Sequence, residues 1–449
     1  MEFKISKELI QQIEQLIETK QESQLELLLN DMHHADIAEI LDELDFDEAT
    51  YIFKILDSEK TAEILLELED DLRENILSRL SPKEIAEELD ELETNDAADI
   101  IAELSQSKKE EVILELQDVE HAKDIVDLLR YKEDTAGGIM HKELVKVNEN
   151  WNVLTCVKEM RIQAENISRV HSIYVVDDED RLKGRLSLKD LLTTSTKTPI
   201  REVYISKLNS VNVDTEDVEV ARIMQKYDLE AIPVTDELGR LVGRITIDDI
   251  VDVIKDEADK DYQLAAGITQ DVEANDSVLE LTKARLPWLL MGMFIEFFAS
   301  FILKGNEEAF HTYQTLIIFV PLLSATAGNI GAQASALVVQ GLANGTFTSF
   351  SRGYLSKELR VAMISGAIIA TTVFVFHSLI YGEYMAGLAI GISLIVVILF
   401  AGTLGTLIPM LLNRYKIDPA LATGPFITTT NDVFGILLYF GIARVILGI

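Results

Sequence analysis

Five apolar runs, at about 286–304, 312–341, 360–381, 385–412 and 420–447, leave the last third of this chain little choice of fold. A hydrocarbon core takes about 20 helical residues to cross, and each run is close to that length or longer. With no water at membrane depth, every backbone N–H and C=O must be satisfied internally, which predicts helices. Helix disruptors interrupt several runs: Pro321 in the second, Gly402, Gly405 and Pro409 in the fourth, Gly424 and Pro425 at the start of the fifth. Irregular backbone at this depth is tolerated where it lines a cavity, and small residues let helices approach closely. The stretch Gly328-Asn329-Ile330-Gly331-Ala332-Gln333 thus offers carbonyl and amide oxygens to such a cavity.

One carboxylate, Asp432, stands near the middle of the fifth run, beside Thr428, Thr429, Thr430 and Asn431. An ionised Asp at membrane depth costs about 2.5–3.5 kcal/mol on insertion scales, so it faces a partner or a wet cavity. Oxygen donors without nearby sulfur or imidazole suit a hard cation such as Mg²⁺ or Ca²⁺. Glu296 in the first run is a second intramembrane acid. His311 and His377 have no further nitrogen or sulfur ligand at metal-binding spacing and are read as structural.

Charge is partitioned as sharply as hydropathy. Of 76 acids, 69 precede Arg285, together with only 32 of the 40 bases. So negative a field repels nucleic acid and attracts cations. The single Cys156 allows no intrachain disulfide and fits a reducing compartment. The polar start, MEFKISKELIQQIEQLIETK, lacks the apolar core of a secretory leader. Arg352, Lys357 and Arg360 lie between the second and third runs, and Arg414 and Lys416 between the fourth and fifth. The positive-inside rule puts these loops and the acidic part in the cytosol and the C-terminus outside a multi-pass cell membrane protein.

The acidic part divides by texture. Residues 1–135 are all-α in pattern, with no glycine before Gly137. Leu89, Ile101, Ile113 and Ile125 recur every 12 residues, which predicts a small superhelical domain sharing one core. A longer repeat follows: IYVVDDEDRLKGRLSLKDLL (173–192) realigns with IPVTDELGRLVGRITIDDIV (232–251) at an offset of 59. Each copy reads strand, polar turn, strand, helix. This pair resembles tandem CBS domains, at 136–198 and 199–256, of the α/β class. That resemblance implies an adenine nucleotide such as ATP held by Ser187, Asp190 and Thr246, the hydroxyls at helix starts reaching phosphate and the carboxylate the ribose. A polar connecting helix spans 257–284, and the membrane domain occupies 285–449.

Taken whole, the chain resembles the MgtE family of magnesium channels. The most specific marks are the P-x₆-G-N-x-G-x-Q run from Pro321 to Gln333, the D-P-A-L of Asp418 to Leu421, and the T-x-N-D-V-x-G of Thr429 to Gly435. The resemblance implies a homodimer in the lipid bilayer, not an enzyme, with a pore lined by the second and fifth spans. Asp432 would bind hydrated Mg²⁺, with Asn329 and Thr428 holding its waters. Ala332 departs from relatives that carry Asn there. The resemblance also implies closure by Mg²⁺ bridging cytosolic acids, which map to Asp96, Asp99, Asp228, Asp249, Asp252, Glu257 and Asp418, with Asn95 neutral where an acid is expected. Like charges further apart than about 8 Å barely interact at physiological salt, so such a sensor needs close-set acids. The rival reading is a Na⁺- or H⁺-coupled transporter using Asp432 and Glu296 in alternating access. No Ser-His, Cys-His or H-E-x-x-H arrangement supports a hydrolase.

Overall fold

A computed structural model describes residues 5–167, 169–270, 272, 276–306, 312–343, 345, 352–422 and 424–448. His311 lies outside the described residues. The chain forms two compact units, Met1–Ile254 and Lys255–Ile449.

The first unit opens with ten short helices among the described residues, from Lys7–Glu18 to Val119–Leu128. Side-chain caps start many of them: Asp45 and Ser81 form capping boxes with Glu48 and Glu84, and Pro82 sits in the first turn, where its missing N–H costs nothing. Helices two apart in sequence pack together, as His34–Asp42 does with Ser58–Glu67 and Pro82–Leu89 with Gln106–Glu115, giving the superhelical stack. Lysines tie successive layers: Lys108 Nζ donates to the carbonyls of Leu77 (2.6 Å) and Leu80 (3.0 Å), capping the end of the helix three before its own. The 12-residue spacing holds at Leu89, Ile101 and Ile125, all fully buried. It slips at the third copy, where Val112 takes the buried position and Ile113 only packs against the core. Helix ends differ by a residue between layers, and the buried face rotates with them.

Two three-stranded sheets follow. Strands β1 (Val145–Asn148), β2 (Ile173–Val176) and β3 (Leu182–Leu186) form one, in that order, with β1 parallel and β3 antiparallel to β2. Strands β4 (Val211–Asn212), β5 (Ala231–Thr235) and β6 (Leu241–Thr246) repeat the arrangement. The register shifts at the same place in both copies, between Val175 and Val176 and between Val234 and Thr235, so the repeat extends to its irregularity. Arg181 and Arg240 form a bridge joining the two copies.

The segment before β1 docks on the second sheet rather than the first. Ala136 and Gly137 donate to the carbonyls of Thr215 (2.7 Å) and Val213 (2.9 Å), and His141 exchanges backbone hydrogen bonds of 2.7 and 2.9 Å with Arg244 on β6. Gly243 permits this approach, since a Cβ there would lie 2.6 Å from Met140 Sδ and 2.8 Å from the His141 carbonyl. Residues 136–141, at the start of the first repeat in sequence, thus belong in space to the second.

Among the described residues, the second unit holds five helices long and apolar enough to cross a membrane: Val278–Lys304, Thr315–Ala343, Gly353–Tyr381, Tyr384–Arg414 and Gly424–Leu447. The fourth is the most enclosed and packs on the second, third and fifth. The first touches mainly the fifth and leaves Phe294, Phe297, Phe298 and Phe301 exposed. In the second, Thr315–Ile318 is a separate short helix before Val320–Ala343, which admits Pro321 in its first turn. His377 is buried against Phe319 and Tyr381. The helix Ile247–Ala266 ends at Gly267, whose neighbour in space is Pro425, and the Ala265 carbonyl abuts Gly424 at the start of the fifth span.

Gly405 lies against the Gly331 carbonyl so closely that an added Cβ would overlap it. Gly405→Val is therefore expected to cost about 1–3 kcal/mol of stability. A lowered thermal midpoint in detergent checks this, against Gly441→Val as control, because nothing lies near Gly441.

Candidate functional site

Two groups of acids emerge in the first unit and the connecting segment, and one carboxylate in the membrane unit. The first group lies on a seam between the helical stack and the second sheet. His141, only 5% exposed, stands between two carboxylates, with Nδ1 2.7 Å from Glu93 Oε2 and Nε2 2.8 and 2.9 Å from the Asp249 oxygens. Asp249 is held in turn by the Thr246 backbone N–H (2.9 Å) and hydroxyl (2.6 Å). Glu143 accepts from the Thr94 N–H (3.1 Å) and hydroxyl (3.0 Å), and buried Arg244 donates to the Glu143 carbonyl (2.5 Å) and stands 3.5 Å from Glu93 Oε2. Burial disfavours an imidazolium, but the bonds and charges of Asp249 and Glu93 outweigh it and push His141 up to about 10.

Asp96 and Asp99 leave the Thr94–Glu103 helix toward this seam. Desolvation, then the field of Asp249, Asp99 and Glu93 set against His141, pushes Asp96 up to about 7. Asp99 keeps contact with solvent, and partial desolvation with the charges of Glu133, Asp249 and Glu103 shifts it the same way. Asn95 is buried, its amide 2.9 Å from Asp96 and 3.5 Å from Asp249, so a neutral donor stands where a third acid would repel both. Asp96, Asp99 and Asp249 are thus brought together. Asp228 is not among them: it ends the Asp217–Tyr227 helix in left-handed backbone (φ 49°), exposed. Asp252 lies exposed one turn along the Ile247–Ala266 helix from Asp249.

Glu257 and Asp418 meet elsewhere, around Asp261. Burial, followed by the charges of Asp418 and Glu257, raises Asp261 to about 6. Asp418 also caps the Pro419–Ala422 turn by accepting from the Ala420 N–H at 2.8 Å. This grouping adds an acid that no motif marked.

The nucleotide residues separate. Ser187 and Asp190 line an open cleft of about 640 Å³ together with His171, Arg185 and Lys189. Thr246 does not reach it. It is 2% exposed and spends its hydroxyl on Asp249, with His141 filling the space in front. Both copies take an incoming segment on the last strand, since Arg185 on β3 exchanges backbone hydrogen bonds of 3.0 and 2.9 Å with Ile205 as Arg244 does with His141. The copies differ because the segment on β6 brings His141 against Thr246, whereas the one on β3 brings Ile205 to the edge of the cleft.

In the membrane unit, Asp432 lies where the first, second and fifth spans meet. Its carboxylate interacts with Glu296 and Ser324, and its Oδ1 is buried without a hydrogen-bond partner. One turn earlier, Gly292 faces Thr429, so the two spans run in register. Thr428 donates its hydroxyl to the Gly424 carbonyl (2.9 Å) and packs on Gly328. Asn329, next to Gly328, points to the exposed face of the second span with Gln333. Asn431 is buried and fills the notch at Gly331. His141, Glu93, Glu143 and Asp261 had no sequence signal beyond their residue types, while Arg244 was marked only as a position shared by the two repeats.

Family models match along most of the chain: the MgtE intracellular N domain over residues 32–134, the CBS domain over 136–196 and 200–256, and MgtE, a divalent cation transporter, over 320–442. The magnesium transporter MgtE of Enterococcus faecalis is 35% identical over 326 residues, 72% of each chain. That of Thermus thermophilus is 35% identical over 343 residues, 73% of this chain and 75% of the relative. Among solved structures, the cytosolic domain of the Mg²⁺ channel MgtE in complex with ATP aligns with a TM-score of 0.51 at 33% identity, covering 54% of this chain and 99% of that one. With its helical stack, paired sheets and five spans, the chain belongs to the MgtE family of divalent cation transporters.

Proposed function

We propose that the chain transports Mg²⁺ across the cell membrane as a channel, with the acidic part in the cytosol and the C-terminus outside. Its relatives are named magnesium transporters, and one solved relative is named a Mg²⁺ channel. The observation that carries the reading is the Asp432 carboxylate at the meeting of three spans, one oxygen buried and unpartnered. Mg²⁺ gives up water reluctantly and is held through one or two carboxylates and its own hydration shell. Asp432 supplies that charge, and Thr428 and Asn329 would face the waters.

A homodimer with the ion path on its two-fold axis fits the placement of polar groups. Asn329 and Gln333 lie exposed on a membrane helix of the single chain, a costly placement against lipid and a favourable one against water or a second copy. No catalytic role is assigned. A Na⁺- or H⁺-coupled mechanism is distinguished by recording current with Mg²⁺ as sole carrier and no Na⁺ or H⁺ gradient.

Gating is proposed to follow cytosolic Mg²⁺. Asp96, Asp99, Asp249 and Asp252 on one side, and Glu257 and Asp418 with Asp261 on the other, are close-set acids whose repulsion a divalent ion relieves. Asp228 stands apart from both groups. An adenine nucleotide is proposed for the cleft of Ser187 and Asp190, without Thr246.

Asp432→Asn should keep its elution profile and lower Mg²⁺ current at least about tenfold, a loss of about 1.4 kcal/mol in ion stabilisation; unchanged current removes Asp432 from the path. Neutralising Asp249, Asp252 and Glu257 together should leave current that persists as cytosolic Mg²⁺ is stepped to millimolar levels, whereas intact inhibition places the sensor on other acids. Asp190→Ala should weaken binding of a fluorescent ATP analogue about tenfold, the worth of one charge-assisted hydrogen bond.

A further inference from the structure

We propose that His141, Glu93 and Glu143 form a site for a divalent transition ion of the Zn²⁺ and Co²⁺ class, with ligands other than the acids proposed for Mg²⁺. One ligand atom from each of the three lies within 4.8 Å of the others. The histidine is oriented as a ligand should be. A metal-bound imidazole ordinarily gives its second N–H to a carboxylate, which fixes the tautomer and raises the basicity of the ligating nitrogen. Here Nε2 lies between both oxygens of Asp249, itself anchored by Thr246, and that leaves Nδ1 as the ligand.

An independent observation points the same way. His141 is 5% exposed, and its Nδ1 pairs with Glu93 Oε2 at 2.7 Å, so the carboxylate that would share the ion already lies against the ligating nitrogen. Two ligands of one tetrahedral ion stand about 3.3 Å apart at bond lengths of about 2.0 Å, so this pair need open only slightly for an ion to replace the shared proton. Glu143 is already fixed by Thr94 through both oxygens, so little ordering is left to do. Charge agrees in sign: Glu93, Glu143 and Asp249 surround His141 with carboxylates, with Asp96 beside them, and Arg244 is the nearby cation. Binding displaces the Nδ1 proton to solvent.

Ligand chemistry selects the ion. Imidazole suits Zn²⁺, Co²⁺ and Ni²⁺, whereas Mg²⁺ prefers oxygen and retains water. Three protein ligands leave a fourth tetrahedral position for solvent. Because Glu93 belongs to the helical stack and His141 and Glu143 to the segment on the second sheet, the ion would clamp that seam.

The test titrates Co²⁺ into the purified full-length protein in detergent, in large excess Mg²⁺, and follows visible d–d absorption at equilibrium. Wild type should bind with tetrahedral bands that Mg²⁺ does not displace. His141→Gln and Glu93→Gln should each weaken binding by about tenfold or more. Asp249→Asn, which keeps all three ligands, should weaken it by about 10–100-fold. Unchanged affinity in His141→Gln, or loss of the wild-type bands in excess Mg²⁺, overturns the site. If His141→Gln does not fold by circular dichroism, Glu143→Gln decides by the same criterion. The readout needs no ion flux, so it stands or falls independently of the transport reading.

Discussion

A carboxylate taken out of water must find positive charge, a proton or several donors, because desolvation costs several kcal/mol per ion. That requirement is met in opposite ways in the two halves of this protein. On the seam of the first unit the chain brings its own cations, His141 and Arg244, and spends donors from Thr94, Thr246 and Asn95 on the remaining oxygens. At mid-membrane it brings Ser324 and a second acid, Glu296, and leaves one oxygen of Asp432 unserved. A satisfied carboxylate organises structure; an unsatisfied one is available to a passing ion.

What was legible in the sequence follows the range of the interactions involved. Caps, 12-residue helical spacing and apolar runs depend on neighbours a few positions apart, and they located the helical stack and all five spans. The offset of 59 carried over even to the register shifts of β2–β3 and β5–β6, because a β-bulge is encoded within the strand that makes it. The Val112 and Ile113 exchange was not visible, since the rotation of one helix depends on the layers it meets.

The seam was half legible. Asp96, Asp99 and Asp249 were marked as acids, but His141 is separated from Asp249 by 108 positions, and nothing local distinguishes it from any other histidine. Its placement follows from Gly243, which lets the incoming segment pair with β6. The same event explains why two copies of one motif differ in use. Ser187 and Thr246 are equivalent in the repeat and each copy's last strand takes an incoming segment, yet the one on β6 seals Thr246 beneath His141 while the one on β3 brings Ile205 and leaves Ser187 in an open cleft.

The carbonyl of Ala265 rests against Gly424, and Asp432 lies eight residues further along the same helix, about 12 Å at the helical rise. No loop intervenes to absorb a displacement of the connecting helix before it reaches the carboxylate. Thermodynamic linkage then works in both directions. If Asp432 and the connector's acids bind ions as proposed, whatever fixes the position of the connector would change the affinity of Asp432 for its ion, and an ion resting at Asp432 would change, by the same factor, how tightly the connector's own acids hold theirs. Occupancy of the proposed membrane site would in this sense also be an input to the proposed sensor.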